Sequence, residues 1–339
     1  MSSTLPASNP QSDKNAKSKP TGSRGFLNMF RQFDWRQYVV YIGFLVLFLF
    51  FAITQHSNGF LSPTNLFNIL RQSAIISVMA VAMTFVIASG EIDLSVGAVA
   101  GLASVATALT ISRFGLIPGI LAGLLTGAVV GLINGLLRTR IGIPSFLVTL
   151  GMQGIATGVA MWITDTAPVP ILNDVYNNIF GSGQLGPIPV LFIWTIIGLV
   201  IGDIVLRKTP YGRQVLATGG NEAAARFTGV RTLNIKLIAL TVMSMVAALA
   251  GMLYAGRLHS GRFQWGQGDE LSVIAAVILG GTSLAGGNGS IIGAVIGSLL
   301  IGLINNGLIL AGLELSQQLI IRGAIIILAV ALVRRGPKA

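Results

Sequence analysis

The hydrophobic pattern divides the chain into long apolar runs separated by short polar breaks. Most runs approach the roughly 20 residues that a membrane-spanning helix needs. They cover residues 38–54, 66–88, 94–111, 116–137, 145–163, 188–206, 237–256, 271–285, 291–310 and 317–333. The eighth run is short and broken by glycines, so it fits either a re-entrant element or a full crossing. The pattern predicts an all-α polytopic membrane protein with about ten transmembrane helices, some of them broken or re-entrant.

The positions of the basic residues predict the topology. All but five of the 22 Lys and Arg fall on one side of such a bundle, in the first 36 residues, after the fourth run, in the 207–236 loop and at the C-terminus. Cytoplasmic segments carry this excess, so we expect both termini inside. Residues 1–36 are polar and predict a disordered cytoplasmic tail, 37–335 a transmembrane domain, and 336–339 a short cytoplasmic tail.

Composition excludes several classes of function. Apolar residues make up 53% of the chain and charged residues 10%, which is far below the charge of a soluble domain. The net charge of +11 comes from basic residues placed between apolar runs, without the aromatic clustering that would indicate nucleic acid. The chain has no cysteine and two isolated histidines, so we predict no metal site and no cofactor.

Two stretches resemble each other and indicate an internal repeat. Residues 79–101 and 272–297 each contain an apolar run, a Gly- and Ser-rich break, and a small-residue helix that restarts with Gly-Ala-Val. In the predicted topology both stretches run inward and then back out, so the repeat is parallel. Repeated halves with broken helices are common in transporters. The alternative is a chance likeness between two glycine-rich turns.

The polar loop 207–236 contains a predicted short helix. Asn221 is a favourable N-cap, Glu222 suits the first turn, three alanines follow, and Gly229 ends the helix. Such a helix on the positive side is a surface for another protein. The alternative is a solvated loop whose basic residues only fix the topology.

The segment Ser89-Gly90-Glu91-Ile92-Asp93-Leu94-Ser95-Val96-Gly97 places two carboxylates between apolar helices. Charges at such positions are costly and usually functional. One interpretation is helix capping, through Asp93 and the Ser95 or Val96 amide, together with contact between subunits. The other is a role in substrate or proton movement. Ser89, Gly90, Glu91, Asp93, Ser95 and Gly97 are therefore candidates for the translocation path or a helix break.

Asn305 and Asn306 are candidates of the same kind, because amides inside an apolar run must bond across helices or face a water-filled path. The glycine-rich stretch 280–289 is not a phosphate loop, since no Gly-Lys-Ser/Thr follows it.

Three stretches together resemble the permease subunit of bacterial ATP-binding-cassette (ABC) monosaccharide importers of the ribose/xylose type. They are SGEIDLSVG (89–97), GRQVLATGGNEAAARFTGV (212–230) and ELSVIAAVILGGTSLAGGNGSIIGAVIGSLLIGLINNGL (270–308). The resemblance extends from about residue 65 to 333. The family usually has Gly-Ile-Asp-Leu-Ser where this chain has Gly-Glu-Ile-Asp-Leu-Ser, and we interpret the additional acid, Glu91, as the mark of a subfamily.

The resemblance implies partners and a mechanism. It implies a bacterial inner-membrane permease that forms a homodimer, or a heterodimer with a paralogue, surrounded by membrane lipid. A cytoplasmic ABC ATPase subunit would hydrolyse ATP, a periplasmic sugar-binding protein would deliver a monosaccharide, and transport would proceed by alternating access. The chain itself would not be an enzyme, and nucleic acid would not be a partner. The implied ATPase-coupling residues are Gly219, Gly220, Asn221, Glu222, Ala223, Ala224, Arg226 and Gly229.

Two alternatives remain open within transport. A related permease could carry branched-chain amino acids or another small solute. An ion-coupled secondary transporter would need ionisable residues within the membrane, and Glu91 and Asp93 are the candidates for that role. A membrane-embedded enzyme is disfavoured, since neither histidine has a plausible catalytic partner in the sequence.

Overall fold

A computed structural model describes residues 39–314, 316–321, 323, 324 and 327. Most of these residues are helical. The helices are α1 (Val39–Thr54), α2 (Pro63–Ala88), α3 (Val96–Phe114), α4 (Leu116–Leu136), α5 (Ser145–Thr164), α6 (Asp174–Phe180), α7 (Val190–Lys208), α8 (Pro210–Gly220), α9 (Glu222–Phe227), α10 (Thr232–Leu258), α11 (Asp269–Leu279) and α12 (Ile291–Leu310). A π-helical turn, Leu137–Ile141, continues α4.

Four two-residue strands lie between the helices. They are β1 (Val169–Pro170), β2 (Gln184–Leu185), β3 (Ile188–Pro189) and β4 (Ser260–Gly261). Strands β1 and β4 pair antiparallel, as do β2 and β3. These ladders tie together the connections that follow α5 and α10, and we call the side of the bundle where they lie the hairpin end. The opposite side carries α8 and α9 and is called the α9 end.

Seven helices in the described part of the chain are long and apolar enough to cross a membrane. They are α2, α3, α4 with its π-helical turn, α5, α7, α10 and α12. Each corresponds to one predicted run. The first predicted run forms α1, which has 16 residues. The eighth forms α11, which has only 11 residues and falls short of a full crossing.

Some predictions fall on residues that the structure does not describe. The 1–36 tail and the 336–339 tail lie outside the described residues, as does most of the tenth run.

The centre of the bundle is made by α2, α3, α10 and α12, while α4, α5 and α7 present apolar side chains to the outside. Leu121 and Leu125 of α4, for example, are 61% and 63% exposed. Close packing depends on glycines at four-residue spacing. A Cβ at Gly127 would lie 2.5 Å from the Ser244 carbonyl oxygen, and one at Gly131 would lie 2.7 Å from Thr241 Cα, so α4 and α10 approach backbone to backbone.

Helices α2 and α11 run in the same direction and reach the α9 end side by side. The Gly287 amide, in the turn after α11, donates to the Ala88 carbonyl at the end of α2. Helix α12 then returns antiparallel to both, with Gly302 against Ser73 of α2 and Gly297 against Ala276 of α11. The two glycine-rich turns of the suggested repeat therefore lie next to each other at one end of the bundle.

Between β4 and α11 the chain is not helical, and it passes along the side of α3. The Ser104 hydroxyl donates to the Arg262 carbonyl oxygen and accepts from the Arg262 amide. Further along, the carbonyls of Phe263 and Gly266 lie where Cβ atoms would stand on Gly101 and Gly97. The glycines of α3 thus provide the surface on which this segment packs.

Candidate functional site

The predicted short helix is present as α9, and its capping is local. The Asn221 side chain accepts a hydrogen bond from the Ala224 amide at 3.0 Å, as an N-cap residue does. Helix α9 has six residues and is followed by Gly229 with φ +87°, a conformation that favours glycine. The result is a short, well-defined helix that projects between α8 and α10.

Glu222, in the first turn of α9, is the centre of a polar cluster. Its Oε1 accepts from Arg226 at 2.6 Å and from the Thr232 hydroxyl at 3.2 Å. Its Oε2 accepts from Lys236 Nζ at 2.7 Å. Because Thr232 and Lys236 belong to the first turns of α10, the carboxylate attaches α9 to a long helix of the bundle.

Lys236 continues the cluster into the bundle. Its ammonium group lies 2.8 Å from Glu91 Oε1, and its side chain is only 5% exposed. Glu91 also binds Arg138, whose Nε lies 2.9 Å from each carboxylate oxygen. We call Glu222, Lys236, Glu91 and Arg138 the charge relay. It joins α9 and α10 to the segment before α3 and to the end of α4.

The electrostatics of the relay keep Glu222 ionised. Partial burial raises the pKa of the Glu222 carboxyl. The hydrogen bonds and charge of Lys236, with hydrogen bonds from Arg226 and Thr232, outweigh burial and lower the pKa from 4.5 to about 2. The cation–anion contacts of α9 therefore persist throughout the neutral range.

A second connection between α9 and the bundle is made by main chain alone. A Cβ at Gly219, in the last turn of α8, would lie 1.9 Å from the Ala88 carbonyl oxygen and 2.7 Å from the Gly287 nitrogen. Helix α8, the end of α2 and the turn after α11 therefore meet without intervening side chains, and we call this contact the glycine joint. At neighbouring Gly220 the nearest atom to a Cβ would be 3.7 Å away, which is ordinary contact.

The segment 89–95 is held by hydrogen bonds from several helices. The Ile92 and Leu94 amides donate to the Ser145 and Thr149 hydroxyls of α5. Asp93 accepts from the Ser95 amide at 2.8 Å and from the Ser95 hydroxyl at 2.6 Å. This Ser95 amide is one of the two that the sequence suggested as its partner, and the segment as a whole is anchored rather than loose.

The structure separates the remaining candidates. Ser89, Gly90, Glu91, Asp93, Ser95 and Gly97 lie in or next to the segment before α3. Asn306 lies at the other end of the bundle, where its amide and that of Asn65 exchange hydrogen bonds of 2.8 and 3.0 Å. Asn305 is partly buried beside it. The asparagines therefore do not share a site with the two carboxylates.

Three residues at the α9 end were not among the predicted site residues. Lys236 and Arg138 were interpreted only as topology charges at the edges of apolar runs, since their pairing with Glu91 depends on tertiary structure. Phe227, the last residue of α9, is 93% exposed. The signal that the sequence offered was an aromatic residue at the end of a polar helix predicted to contact a partner.

Within the described residues, no group of three or more His, Cys, Asp or Glu could hold a metal ion. The contacts at the α9 end are ion pairs and hydrogen bonds between helices.

Comparisons with known proteins identify a family of permeases. The model of a family described as branched-chain amino acid transport system / permease component matches residues 65–330. The chain is 42% identical over 295 residues to the ribose import permease protein RbsC of Bacillus subtilis (strain 168), covering 86% of this chain and 92% of the relative. It is 35% identical to the L-arabinose ABC transporter permease protein AraH of Azospirillum brasilense, covering 85% of this chain and 84% of the relative. No solved structure matches significantly.

Proposed function

Because the chain belongs to the branched-chain amino acid transport system / permease component family, we propose that it is the membrane-spanning subunit of an ATP-driven monosaccharide importer. Permeases named for ribose and for L-arabinose, 35–42% identical over most of the chain, support the choice of sugar over amino acid. A pentose is the first substrate to test, and a hexose the second.

The observation that carries the proposal is the attachment of α9 to the bundle. A capped helix that projects from the bundle, ends in an exposed phenylalanine and is tied inward by the charge relay can transmit the movement of a partner. The α9 end also carries the concentration of basic residues that marks a cytoplasmic face. Residues 219–229 accordingly contact a cytoplasmic ABC ATPase, and both chain termini lie on the same side.

The mechanism follows from the connections of α9. ATP binding draws the partner ATPases together and displaces α9. The charge relay and the glycine joint transfer that displacement to α10, to the segment before α3 and to the turn after α11. A bundle moved at these points alternates its opening between a periplasmic sugar-binding protein and the cytoplasm. Two copies of this chain, or one copy and a paralogue, enclose the solute path between their transmembrane domains, which comprise residues 37–335.

The test is transport by the reconstituted complex. The chain is co-purified in mild detergent with its associated ATPase, placed in proteoliposomes with the sugar-binding protein from the same cells, and supplied with ATP. We expect accumulation of radiolabelled D-ribose or L-arabinose that stops without ATP and is unaffected by a proton ionophore.

Other outcomes would redirect the assignment. Uptake of labelled leucine in place of sugar would move the chain to the amino acid permeases that the family description names. Uptake without ATP that the ionophore abolishes would indicate an ion-coupled secondary transporter, with Glu91 and Asp93 as the residues to examine.

A further inference from the structure

The non-helical segment before α11 lies well inside the membrane. Asn134 of α4 donates to the Ser95 hydroxyl, and Arg138, one turn further along α4, binds Glu91 at the α9 end. With a rise of 1.5 Å per residue, Gly97 and Gly101 of α3 lie roughly 9 and 15 Å inward from Arg138. The carbonyls of Gly266 and Phe263 contact these two glycines, so this part of the chain is at mid-membrane depth.

Helix α11 starts at the same depth. It has 11 residues, which corresponds to roughly 16 Å, and it ends at Gly280, close to the glycine joint. A half-helix that begins near the centre of a bilayer is tolerated when the preceding backbone is buried in protein or lines a water-filled cavity. Breaks of this kind mark substrate sites in several transporter folds.

Polar side chains concentrate at this break. Gln264 and Gln267 of the non-helical segment are exposed on the surface of the chain, and Gln153 of α5 is partly exposed. The Gln153 amide donates to Glu270 Oε1 at 3.3 Å. We call Gln153, Gln264, Gln267 and Glu270 the mid-membrane patch.

Glu270 supplies an independent sign that the patch is used. The residue is 9% exposed, and its Oε2 is buried without a hydrogen-bond donor. An acid in the first turn of a helix is favourable in itself. A carboxylate oxygen with no donor at mid-membrane depth is costly, however, and intramembrane ionisable groups of this kind usually serve function. The Glu270 Oε2 lies against Gly97 of α3 and its Oε1 accepts from Gln153, so Glu270 orients the partly exposed Gln153 amide.

The neighbouring surface of α5 carries glycines, which have no side chains. No atom lies within 4 Å of the Cβ positions of Gly151 and Gly154, which are on the same face of α5 as the exposed Leu150. Trp265 packs its ring against Tyr254 below the patch, with the Arg262 guanidinium 5.6 Å from the centre of the Trp265 ring. Amide groups and aromatic rings together suit a neutral solute with many hydroxyl groups, and the nearby Glu270 carboxylate disfavours anions.

We infer that the mid-membrane patch lines the path along which a neutral polyhydroxylated solute crosses the membrane. Gln153, Gln264 and Gln267 exchange hydrogen bonds with its hydroxyl groups, and Glu270 holds the Gln153 amide in place. This inference rests on the proposed function, and it names the surface of the chain that the solute touches.

Cysteine labelling tests the inference directly, because the chain contains no cysteine of its own. Gln264→Cys and Gln267→Cys are made separately, and the complex with the ATPase and binding protein is treated with a charged methanethiosulfonate. The reagent reacts with thiolate, which forms in water and not in lipid. Leu121→Cys, on the exposed apolar face of α4, is the control for lipid, and Gln184→Cys, exposed in β2, is the control for water.

We expect both patch cysteines to be labelled in at least one of the nucleotide-free, ATP-bound and vanadate-trapped states, while Leu121→Cys stays unlabelled. Modification of the cysteines should lower uptake of radiolabelled D-ribose or L-arabinose at least tenfold. Excess non-radioactive sugar should slow the reaction of the cysteines with the reagent several-fold.

Either of two results would overturn the inference. The patch cysteines could stay unlabelled in every state while Gln184→Cys reacts, which would place them in a dry contact between subunits. They could instead be labelled with no change in uptake. Both differ from failure of the proposed function, in which the cysteine-free chain itself imports none of the sugars.

Discussion

The ammonium group of Lys236 lies 2.8 Å from a carboxylate oxygen of Glu91, at a position where the lysine side chain is 5% exposed. The same nitrogen lies 2.7 Å from Glu222 in α9. One cation therefore holds two acids that are far apart in sequence, one in a projecting helix and one next to the bundle core. This contact connects the surface of α9 with the interior.

Replacing Lys236 by methionine should uncouple transport from ATP hydrolysis. Lys236→Met keeps a chain of similar length but removes the link between Glu222 and Glu91, which keep Arg226 and Arg138 as partners. We expect sugar uptake to fall at least tenfold while the complex retains most of its ATPase activity. Both rates are measured on the same proteoliposomes.

Lys208→Met is the control for Lys236→Met, since Lys208 is exposed at the end of α7. It should leave both rates near those of the unchanged chain. Full coupling in Lys236→Met would mean that the charge relay has no part in transmission.

The buried pair between Arg138 and Glu91 should contribute more to stability than an exposed pair in the same chain. Arg138→Gln removes the guanidinium partner of the Glu91 carboxylate, whose side chain is 3% exposed. Because Lys236 still pairs with Glu91, we expect a loss of about 2 kcal/mol in the free energy of unfolding, the size of a lost hydrogen bond to a charged group. Thermal unfolding in detergent, monitored by size-exclusion chromatography, should show this loss as a lower midpoint temperature of unfolding.

The comparison for that loss is Arg207→Gln. Arg207 pairs with Asp203 at 2.8 Å, but its side chain is 53% exposed. Exposed pairs of this spacing contribute less than about 0.5 kcal/mol. Equal shifts of the unfolding midpoint in Arg138→Gln and Arg207→Gln would show that burial of Glu91 does not increase the contribution of its ion pair to stability.

Adjacent glycines of α8 should respond differently to alanine. Gly219→Ala places a methyl group 1.9 Å from the Ala88 carbonyl oxygen, so the glycine joint must open. Gly220→Ala meets its nearest atom at 3.7 Å and should fit. We expect Gly219→Ala to reduce co-purification of the ATPase and sugar uptake several-fold, and Gly220→Ala to change neither. Similar behaviour of the two variants would contradict the main-chain contact.

The Asn65–Asn306 pair should act in packing rather than transport. Asn306→Leu leaves the Asn65 amide, 9% exposed, without the partner that it exchanges two hydrogen bonds with. The Asn65 amide nitrogen keeps the Phe60 carbonyl as an acceptor, so only the side-chain oxygen is left unsatisfied, and a buried unsatisfied polar group costs about 1–3 kcal/mol. We expect a lower unfolding midpoint for Asn306→Leu and partial recovery in the Asn65→Leu/Asn306→Leu double variant. A specific loss of uptake in a stable double variant would instead place the pair on the solute path.

The pKa of Glu222 predicts the pH dependence of the relay. The pKa is lowered from 4.5 to about 2, so the stability that the carboxylate contributes is complete above 4.5 and is lost as the pH falls toward about 2. The ratio of uptake by Glu222→Gln to uptake by the unchanged chain should therefore be the same at roughly pH 5.5 and pH 7.5. A ratio that approaches one at the lower pH would mean that Glu222 takes up a proton in that range.

Much of the helical architecture could be predicted from the sequence, because spanning helices are set by the length of apolar runs. The capping of α9 was equally local, since Asn221 and Ala224 are three residues apart. The charge relay could not be predicted in this way. A basic residue at the edge of an apolar run is already explained by topology, so Lys236 and Arg138 gave no sign that they meet Glu91.

The break before α11 was predicted only in part. The short apolar run and its glycines fitted either a re-entrant element or a full crossing, and they did not show that the preceding residues would pack on Gly97 and Gly101 of α3. Such packing depends on two segments that are distant in sequence. Each segment by itself is only a stretch rich in small residues, which is common in this chain. The mid-membrane patch follows from that packing and was missed for the same reason.

The glycine joint has a consequence for redesign of the partner specificity. It is built from the backbone of Ala88, Gly219 and Gly287, so it does not depend on which side chains surround it. The outward residues of α9, Phe227 among them, could then be exchanged for those of another permease to recruit a foreign ATPase, while the connection to the bundle stays as it is. A chimaera that keeps these glycines and the charge relay would be driven by the foreign ATPase through unchanged contacts with the bundle.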